Sequence, residues 1–309
     1  MREVRVVDML LGGRPGRGAA HLVMDDGRAI VVDPGPQTSA SLMLLALEEA
    51  QVPRDAVDYL LITHVHLDHA GGTGALLADL PHAQVLAHPR AVRHLADPSR
   101  LLAGATEVYG AKMLADLYGQ VLPVPPDRLF AAEDGSSLSW QGCTFRFLDA
   151  PGHARHHMVI LEEKEGWVFS GDAFGVSYRE TDLPKGVFIF PTTTPNQFDP
   201  RAMQKTIRKI GSLGAKKTYL THFGGIGPAA PVAEELCAWV DRFVALTQEA
   251  SQENDPLLAL EEKLLHGLME AAKAQGVDLG DKTLEETFSS DARLNAQGLW
   301  HWWQSQKPS

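Results

Sequence analysis

The stretch that decides the fold is Thr-His-Val-His-Leu-Asp-His-Ala-Gly-Gly, residues 63–72. It follows an apolar run, residues 57–63, that is typical of a buried strand. Four side chains that can bind metal fall within six residues: His64, His66, Asp68 and His69. The first two histidines can converge on one ion from an extended loop, and the Asp-His pair can face a neighbouring ion. Imidazole and carboxylate together suit Zn²⁺, Fe²⁺ or Mn²⁺.

Short strands and helices alternate on both sides of this motif. The strands are predicted at residues 2–8, 19–24, 28–33, 57–63, 83–87, 143–149, 157–162, 166–171 and 217–221. The helices are predicted at residues 39–50, 73–80, within 89–118 and at 200–211, and only helical patterns follow residue 231. This order predicts an α/β domain over residues 1–228, a four-layer αββα sandwich of two mixed β-sheets, and a C-terminal helical subdomain over residues 229–309. A doubly wound parallel sheet is the rival, but hairpin-like strand pairs at both ends disfavour it.

The composition of the chain narrows the classes of molecule that it is expected to bind. The chain has 28 Lys and Arg against 39 Asp and Glu, a formal charge of −11, so nucleic acid and anionic membranes are not expected partners and a small-molecule substrate is. No apolar run approaches the ~20 residues that span a bilayer, and the N-terminus lacks a signal-peptide pattern, so a cytoplasmic protein is expected. Cys143 and Cys237 lie in apolar patterns and are predicted to be buried rather than paired.

The motif His-x-His-x-Asp-His after a strand resembles that of the metallo-β-lactamase-fold superfamily. Three later segments are similar to further motifs of this family: Pro151-Gly152-His153, Phe169-Ser170-Gly171-Asp172 and Tyr219-Leu220-Thr221-His222. The resemblance covers about residues 1–227. It implies that one metal ion is held by His64, His66 and His153, a second by Asp68, His69 and His222, and that Asp172 bridges both.

The same resemblance implies a metal-dependent hydrolase with two divalent ions, zinc first and iron or manganese as alternatives. A hydroxide bridging the two ions would attack an ester, thioester, lactone or similar bond. Asp68 is the expected catalytic residue, because a free carboxylate oxygen can orient that hydroxide or protonate the leaving group. The family's glyoxalase II, lactonase and β-lactamase branches each differ from this chain in some motif, so the subfamily and the substrate stay open.

Several residues near the motifs carry two interpretations. Asp33 braces the metal loop or caps a turn, and His157 lies beside the metal or simply begins a strand. His156 is expected to face solvent, and His88 is expected to be structural or to approach the cleft. Three residues in segment 173–199 line a substrate pocket or pack the segment against the C-terminal helices: Tyr178, Arg179 and Phe188. The aromatic cluster at the C-terminal end of the chain is expected to pack in the core or at an interface, for example that of a homodimer. It consists of Trp300, His301, Trp302 and Trp303.

Two rivals to a hydrolase remain at this point. A persulfide dioxygenase-like oxidoreductase would use one iron and leave Asp68, His69 and His222 without a metal. A non-catalytic sensor of this fold would keep the metals and show no turnover.

Overall fold

A computed structural model describes residues 2–183 and 186–306. Its strands are β1 (Glu3–Asp8), β2 (Ala19–Asp25), β3 (Arg28–Val32), β4 (Val57–Ile62), β5 (Gln84–Ala87), β6 (Leu129–Ala131), β7 (Ser137–Trp140), β8 (Cys143–Asp149), β9 (Met158–Glu162), β10 (Trp167–Gly171), β11 (Asp182–Leu183), β12 (Gly186–Val187), β13 (Lys217–Leu220) and β14 (Gly224–Ile226). Its α-helices are α1 (Ala40–Glu49), α2 (Leu67–Ala70), α3 (Thr73–Leu76), α4 (Pro89–Ala96), α5 (Ser99–Tyr109), α6 (Ala111–Tyr118), α7 (Pro200–Ser212), α8 (Ala230–Ala250), α9 (Pro256–Gln275) and α10 (Asp281–Ser305).

The chain forms two compact units, and both are discontinuous in sequence. The first unit contains the chain up to Asp149, then His156–Gly171 and Ala215–Ile226. The second unit contains Ala150–Arg155, Asp172–Gly214 and the chain from Gly227 onward. The helices after residue 228 therefore share their unit with two earlier segments. A domain boundary at 228/229 stays a prediction.

The first unit holds two mixed six-stranded sheets. One sheet has the order β1-β2-β3-β4-β5-β6, antiparallel from β1 to β3 and parallel from β3 to β6. The other has the order β14-β13-β10-β9-β8-β7, in which only β10 and β13 run parallel. The two mixed sheets with helices confirm the predicted α/β class; β6, β7 and β14 are strands for which the sequence predicted no separate bounds.

Two apolar layers hold the first unit together. Between the sheets, Ile30 and Leu61 pack in one cluster with Phe145, Phe147 and Phe169 of the other sheet. On the outer face of the first sheet, the β-strand side chains pack with residues of α1, α3 and α4. Because successive side chains of a strand point to opposite faces, β4 supplies both layers and is buried on both sides. Its carboxyl end is thereby fixed, and the metal motif begins there.

The second unit is mainly helical. Helix α7 begins at Pro200 behind Asp199, whose carboxylate accepts a hydrogen bond from the Ala202 amide, and α9 begins with the same Asp-Pro arrangement at Asp255 and Pro256. Gly276 ends α9 with a left-handed backbone. Among the described residues, no helix is long and apolar enough to cross a membrane.

Candidate metal centre

The metal motif begins where β4 ends, at Ile62. His64 and His66 lie on the extended loop, and the donor atoms His64 Nε2 and His66 Nδ1 are 2.8 Å apart. The chain then turns into α2, which carries Asp68 and His69 in its single turn. The two halves of the motif thus present their donors from different local conformations, as the spacing predicts.

Three of the predicted ligands meet within the first unit. Asp68 Oδ2 lies 3.4 Å from His69 Nε2 and 3.3 Å from His222 Nε2. Their ligand atoms all lie within 4.8 Å of one another. His222 reaches the group from the carboxyl end of β13, which lies beside the carboxyl end of β10 in a parallel pair. Residues from two sheets therefore form one donor set, which we call the Asp68 set (Asp68, His69 and His222).

Two other predicted ligands meet within the second unit. His153 Nε2 lies 3.4 Å from Asp172 Oδ2, and both side chains are buried. His153 Nδ1 lies 3.1 Å from the carbonyl oxygen of Thr192. Because a carbonyl can only accept, the Nδ1–H donates to it and His153 Nε2 keeps its lone pair toward Asp172.

Polar partners at Nδ1 likewise orient imidazole rings of the first unit. His222 Nδ1 donates to the Arg17 carbonyl, and His69 Nδ1 lies 3.4 Å from Asp33 Oδ2. His64 Nδ1 lies 3.1 Å from Thr63 Oγ1. In each ring a partner at Nδ1 fixes the orientation in which Nε2 faces the other donors of the motif, which is how metal-binding histidines are held in proteins. Within each unit, imidazole and carboxylate donors come together, and this donor chemistry fits borderline divalent ions such as Zn²⁺, Fe²⁺ and Mn²⁺.

Asp33 is the centre of the polar network beneath the motif. It is 1% exposed, its Oδ1 accepts from the Thr63 amide at 2.8 Å, and its Oδ2 accepts from Thr63 Oγ1 at 2.7 Å and Thr221 Oγ1 at 3.2 Å. Its backbone is left-handed, with φ of 49°. Asp33 therefore joins the ends of β4 and β13 and the ring of His69 in one network.

Two glycines allow the backbone to pass close to this network. A Cβ at Gly72 would lie 2.9 Å from the carbonyl oxygens of Gly35 and Pro36. A Cβ at Gly171 would lie 2.5 Å from Thr63 Oγ1 and 2.6 Å from His157 Nε2. Both distances are too short for a real side chain, so glycine is required at both positions.

Two further histidines lie against the motif. The ring of His157 is 1% exposed and stacks on that of His64, with centroids 4.6 Å apart. His156 is 5% exposed, so the expectation that it faces solvent is wrong. Its ring centroid lies 5.5 Å from that of His66 and 6.2 Å from that of His94. Two consecutive histidines at a strand start have no periodicity that would separate these surroundings in advance.

Charge at the Asp68 set favours the ionised carboxylate. Burial alone would raise the pKa of Asp68, but the His69 and His222 imidazoles beside it lower that pKa well below its usual range. Burial lowers the pKa of His21, in β2, to about 4, and the nearby charge of Asp33 only partly offsets this. The Asp68 set thus keeps a charged carboxylate, that of Asp68, whereas the buried ring of His21 in β2 stays neutral.

The residues predicted to line a substrate pocket lie in the second unit. The Tyr178 hydroxyl lies 3.0 and 3.1 Å from the two carboxylate oxygens of Asp291 in α10. Arg179 Nη1 lies 3.3 Å from Asp182, with about a third of each side chain exposed. Phe188 is fully buried and its ring packs against Trp239 and Phe288. Phe188 therefore packs segment 173–199 against the C-terminal helices, which is the second of its two expected roles. Its side chain has no exposed surface that a substrate could touch.

The remaining singled-out residues have structural surroundings. His88 caps α4 by accepting from the Arg90 amide, and its Nε2 lies 2.9 Å from Asp149 Oδ1. Cys143 and Cys237 are buried and free of disulfides, as predicted. The rings of Trp302 and Trp303 pack on each other with centroids 6.1 Å apart, and a homodimer contact there stays a prediction.

The family model described as "Metallo-beta-lactamase superfamily" matches residues 13–222, which is more than half of the chain. The chain therefore belongs to the metallo-β-lactamase superfamily. This agrees with the positions of the four motifs, all of which lie within the matched residues.

Comparison with individual proteins agrees with this. The metallo-β-lactamase superfamily protein ST1585 from Sulfolobus tokodaii has a solved structure with a TM-score of 0.69 over 97% of this chain and 98% of that chain, at 22% identity. An atrochrysone carboxyl ACP thioesterase from Aspergillus fumigatus is 28% identical over 72% of this chain and 56% of its own length. A hydroxyacylglutathione hydrolase from Aeromonas hydrophila is 27% identical over 49% of this chain and 44% of its own length. The matches thus span about half the length of these two curated relatives.

Proposed function

We propose that this protein is a metal-dependent hydrolase that cleaves an ester, thioester or lactone bond in a small molecule. The observation that carries the proposal is the Asp68 set, in which three ligand atoms meet and the second nitrogen of each imidazole already has a partner. The relatives named as a thioesterase and a hydroxyacylglutathione hydrolase support a thioester first among these bonds.

We further propose that the donors form two sites. The Asp68 set would hold one ion, and the resemblance to the family implies His64, His66, His153 and Asp172 as the donors for a second, with Zn²⁺ as the first candidate for both. Bound divalent ions would supply a water of lowered pKa and polarise the oxygen of the scissile bond. The carboxylate of Asp172 would serve both ions.

The chain's own residues would perform the remaining tasks. Asp68 faces two imidazoles through Oδ2, which leaves Oδ1 to accept a proton and deliver it to the leaving group. Asp33 and the Arg17 carbonyl keep His69 and His222 in the tautomer that presents Nε2. The lowered pKa of Asp68 keeps its carboxylate ionised at neutral pH, the form that binds a metal ion.

The mononuclear-iron alternative does not use the Asp68 set. In this structure the three residues of that set are brought together, and two of the rings are oriented by partners, the buried carboxylate of Asp33 and the carbonyl of Arg17. Burying polar groups in this way has a cost that an unused set would not repay. This favours the hydrolase.

The test combines metal content with turnover. Protein purified without added metal is expected to contain two divalent ions per chain by elemental mass spectrometry and to hydrolyse at least one member of a panel of thioester, lactone, β-lactam and phosphodiester substrates. Asp68→Asn is expected to contain about one ion and to lose 10²-fold or more in kcat. Asp127→Asn, at an exposed aspartate of the first unit, is the matched control and should match the wild type.

Two results would overturn the proposal. One is a single iron per chain with thiol-dependent oxygen uptake, which would establish the oxidoreductase. The other is a fully metal-loaded protein that hydrolyses no member of the panel, which would establish a binder or sensor.

A further inference from the structure

Asn295 of α10 is a buried amide that bonds to the backbone of segment 173–199. Its side chain belongs to a residue that is 1% exposed, and its Oδ1 accepts from the Thr193 amide at 2.7 Å. Its Nδ2 donates to the Pro191 carbonyl at 3.4 Å, and its own carbonyl accepts from Thr193 Oγ1 at 3.3 Å. Because a backbone N–H must donate and a carbonyl must accept, these partners fix which atom of the side-chain amide is the oxygen.

Gly298 lets α10 come close enough to the segment for these bonds. A Cβ at Gly298 would lie 2.4 Å from Thr193 Oγ1 and from the Thr194 carbonyl oxygen, which is too short for a real side chain. Gly298 lies three residues after Asn295, so the two residues share one face of the helix. This face of α10 therefore fits closely against residues 193–194.

The peptide group between Thr192 and Thr193 extends the contact to His153, in the same compact unit. Its N–H donates to Asn295 Oδ1, and its C=O accepts from His153 Nδ1 at 3.1 Å. The N–H and C=O of a trans peptide group point in opposite directions in one plane, so a partner that holds the N–H also aims the C=O. Asn295, one peptide group and His153 therefore form a single chain of hydrogen bonds.

This chain of hydrogen bonds determines which ring nitrogen of His153 carries the proton. The Nε2 atom lies 3.4 Å from Asp172 Oδ2, and a carboxylate is a stronger acceptor than a carbonyl, so Asp172 competes for the proton. Hydrogen bonds in series polarise one another, so the acceptor at the Thr193 N–H makes the Thr192 carbonyl a better partner for Nδ1–H. Asn295 thus favours the tautomer that leaves the Nε2 lone pair for a metal ion.

We propose that Asn295 is a positioning residue of the metal centre. Through the Thr192–Thr193 peptide group it holds His153 in the tautomer and orientation in which Nε2 can bind an ion. The metal-binding part of this inference rests on the proposed hydrolase function, whereas the effect on the His153 tautomer does not. The C-terminal helices thereby act on the reaction site, in addition to packing segment 173–199.

The first measurement locates the proton on the neutral His153 ring by ¹⁵N nuclear magnetic resonance of the metal-free, full-length protein. In the wild type the proton is expected on Nδ1. Asn295→Leu has a similar side-chain volume but offers no acceptor, and it is expected to shift the proton partly to Nε2. Asn295→Asp keeps an oxygen for the Thr193 N–H and is expected to restore the wild-type tautomer.

The matched control is Gln204→Leu, which also removes an amide that joins two elements of the second unit. Gln204 Nε2 donates to the Cys237 carbonyl at 3.0 Å and to Asp241 at 2.8 Å, and so joins α7 to α8. Because these bonds do not involve the Thr192–Thr193 peptide group, Gln204→Leu is expected to lose stability and to keep the His153 tautomer.

The second measurement is zinc affinity, by competition with a chelator. Loss of a group that orients a metal-binding histidine typically weakens binding by about 10- to 100-fold, and Asn295→Leu is expected to weaken one of two zinc ions by about this factor. The affinity for the other ion should not change. Asn295→Asp should recover most of the loss, and Gln204→Leu should match the wild type.

The outcomes separate this inference from the proposed function. A shifted tautomer in Asn295→Leu, in a protein that binds no zinc, would keep Asn295 as the residue that positions His153 and reject the metal-dependent hydrolase. An unchanged tautomer and unchanged zinc affinity in Asn295→Leu would overturn the inference. Equal losses of zinc affinity in Asn295→Leu and Gln204→Leu would also overturn it, because general destabilisation predicts that result.

The wild type alone decides the matter if Asn295→Leu does not fold. Zinc added to the metal-free protein is expected to move the Thr193 amide proton downfield, because the hydrogen bonds of the chain strengthen together. A Thr193 amide proton that does not move when zinc binds would overturn the inference.

Discussion

The metal motif of the first unit and segment 173–199 of the second unit both bury polar side chains, but they do so in opposite ways. At the motif, Asp33 receives bonds from Thr63 and Thr221 and orients His69, so the polar groups below the site hold donor atoms that point toward one another. In the segment, Tyr178 donates to Asp291, and Thr193 donates its amide to Asn295. The first arrangement leaves ligand atoms convergent, whereas the second ties the segment to α10. Buried polarity alone therefore does not identify a functional site; the atoms that it leaves available do.

The strongest test of this comparison removes the carboxylate below the motif. Asp33→Ala is expected to lower the free energy of unfolding by about 3 kcal/mol, because several buried donors lose their acceptor. Urea denaturation of the metal-free protein measures the change. Asp26→Ala is the matched control, because Asp26 has the same φ of 49° but is exposed, so it reports the backbone strain alone, about 1 kcal/mol. If the two variants lost the same free energy of unfolding, the hydrogen bonds of Asp33 would not be what stabilises the network.

A pH effect of similar size is expected from His21 in the first unit. Burial lowers its folded-state pKa to about 4, below the 6.5 of the unfolded chain, so the unfolded state binds the proton first as the pH falls. The contribution of His21 is fully present above pH ~6.5 and declines by roughly 3 kcal/mol toward pH ~4. Denaturation of the metal-free protein across this range should show a decline that His21→Leu removes. His82→Leu, at an exposed histidine, should keep it.

Replacing Tyr178 in the second unit tests whether the polar groups of segment 173–199 serve only to hold the segment in place. Tyr178→Phe removes a hydrogen bond to a carboxylate and is expected to cost about 2 kcal/mol of stability. Because the hydroxyl is directed at Asp291, kcat is expected to stay within about twofold of the wild type. A loss of 10² or more in kcat with little loss of stability would instead make Tyr178 an oxyanion donor.

The smallest effect is expected at Arg179. Its ion pair with Asp182 is only partly buried, and such pairs contribute under ~1 kcal/mol, so Arg179→Ala should unfold almost as the wild type does. The informative measurement is KM on the best thioester found. An unchanged KM fits a surface pair, whereas a KM at least tenfold higher would show that Arg179 binds the substrate.

The sequence predicts the fold class, and it singles out histidines and aspartates that the structure brings together within each unit, because both follow from local patterns. His64, His66, Asp68 and His69 fall in one short stretch, and strand periodicity places it after β4. The partners that orient these donors are not local. The Arg17 and Thr192 carbonyls that hold His222 and His153 belong to the backbone, and a backbone carbonyl carries no residue-type pattern.

The expectations for single residues that differ from the structure also involve partners distant in sequence. The sequence predicts His156 at the surface because nothing in its neighbours along the chain indicates the rings of His64 and His66, which it meets in the structure. Tyr178 was singled out for its place after Asp172, whereas its hydroxyl is directed by a residue more than a hundred positions later.

The hydrogen bond from His222 to the Arg17 carbonyl bears on how this protein tolerates change. Since the acceptor is a backbone carbonyl, this hydrogen bond does not depend on which side chain stands at position 17. The number of residues in the loop Gly12–Gly18 is not free, because a one-residue deletion shifts the chain by about 3.5 Å and carries the carbonyl out of reach. Engineering of this loop should therefore keep its length and its glycines at 12, 13 and 16, whose φ angles are positive, while the hydrogen bond to His222 survives a new side chain at position 17.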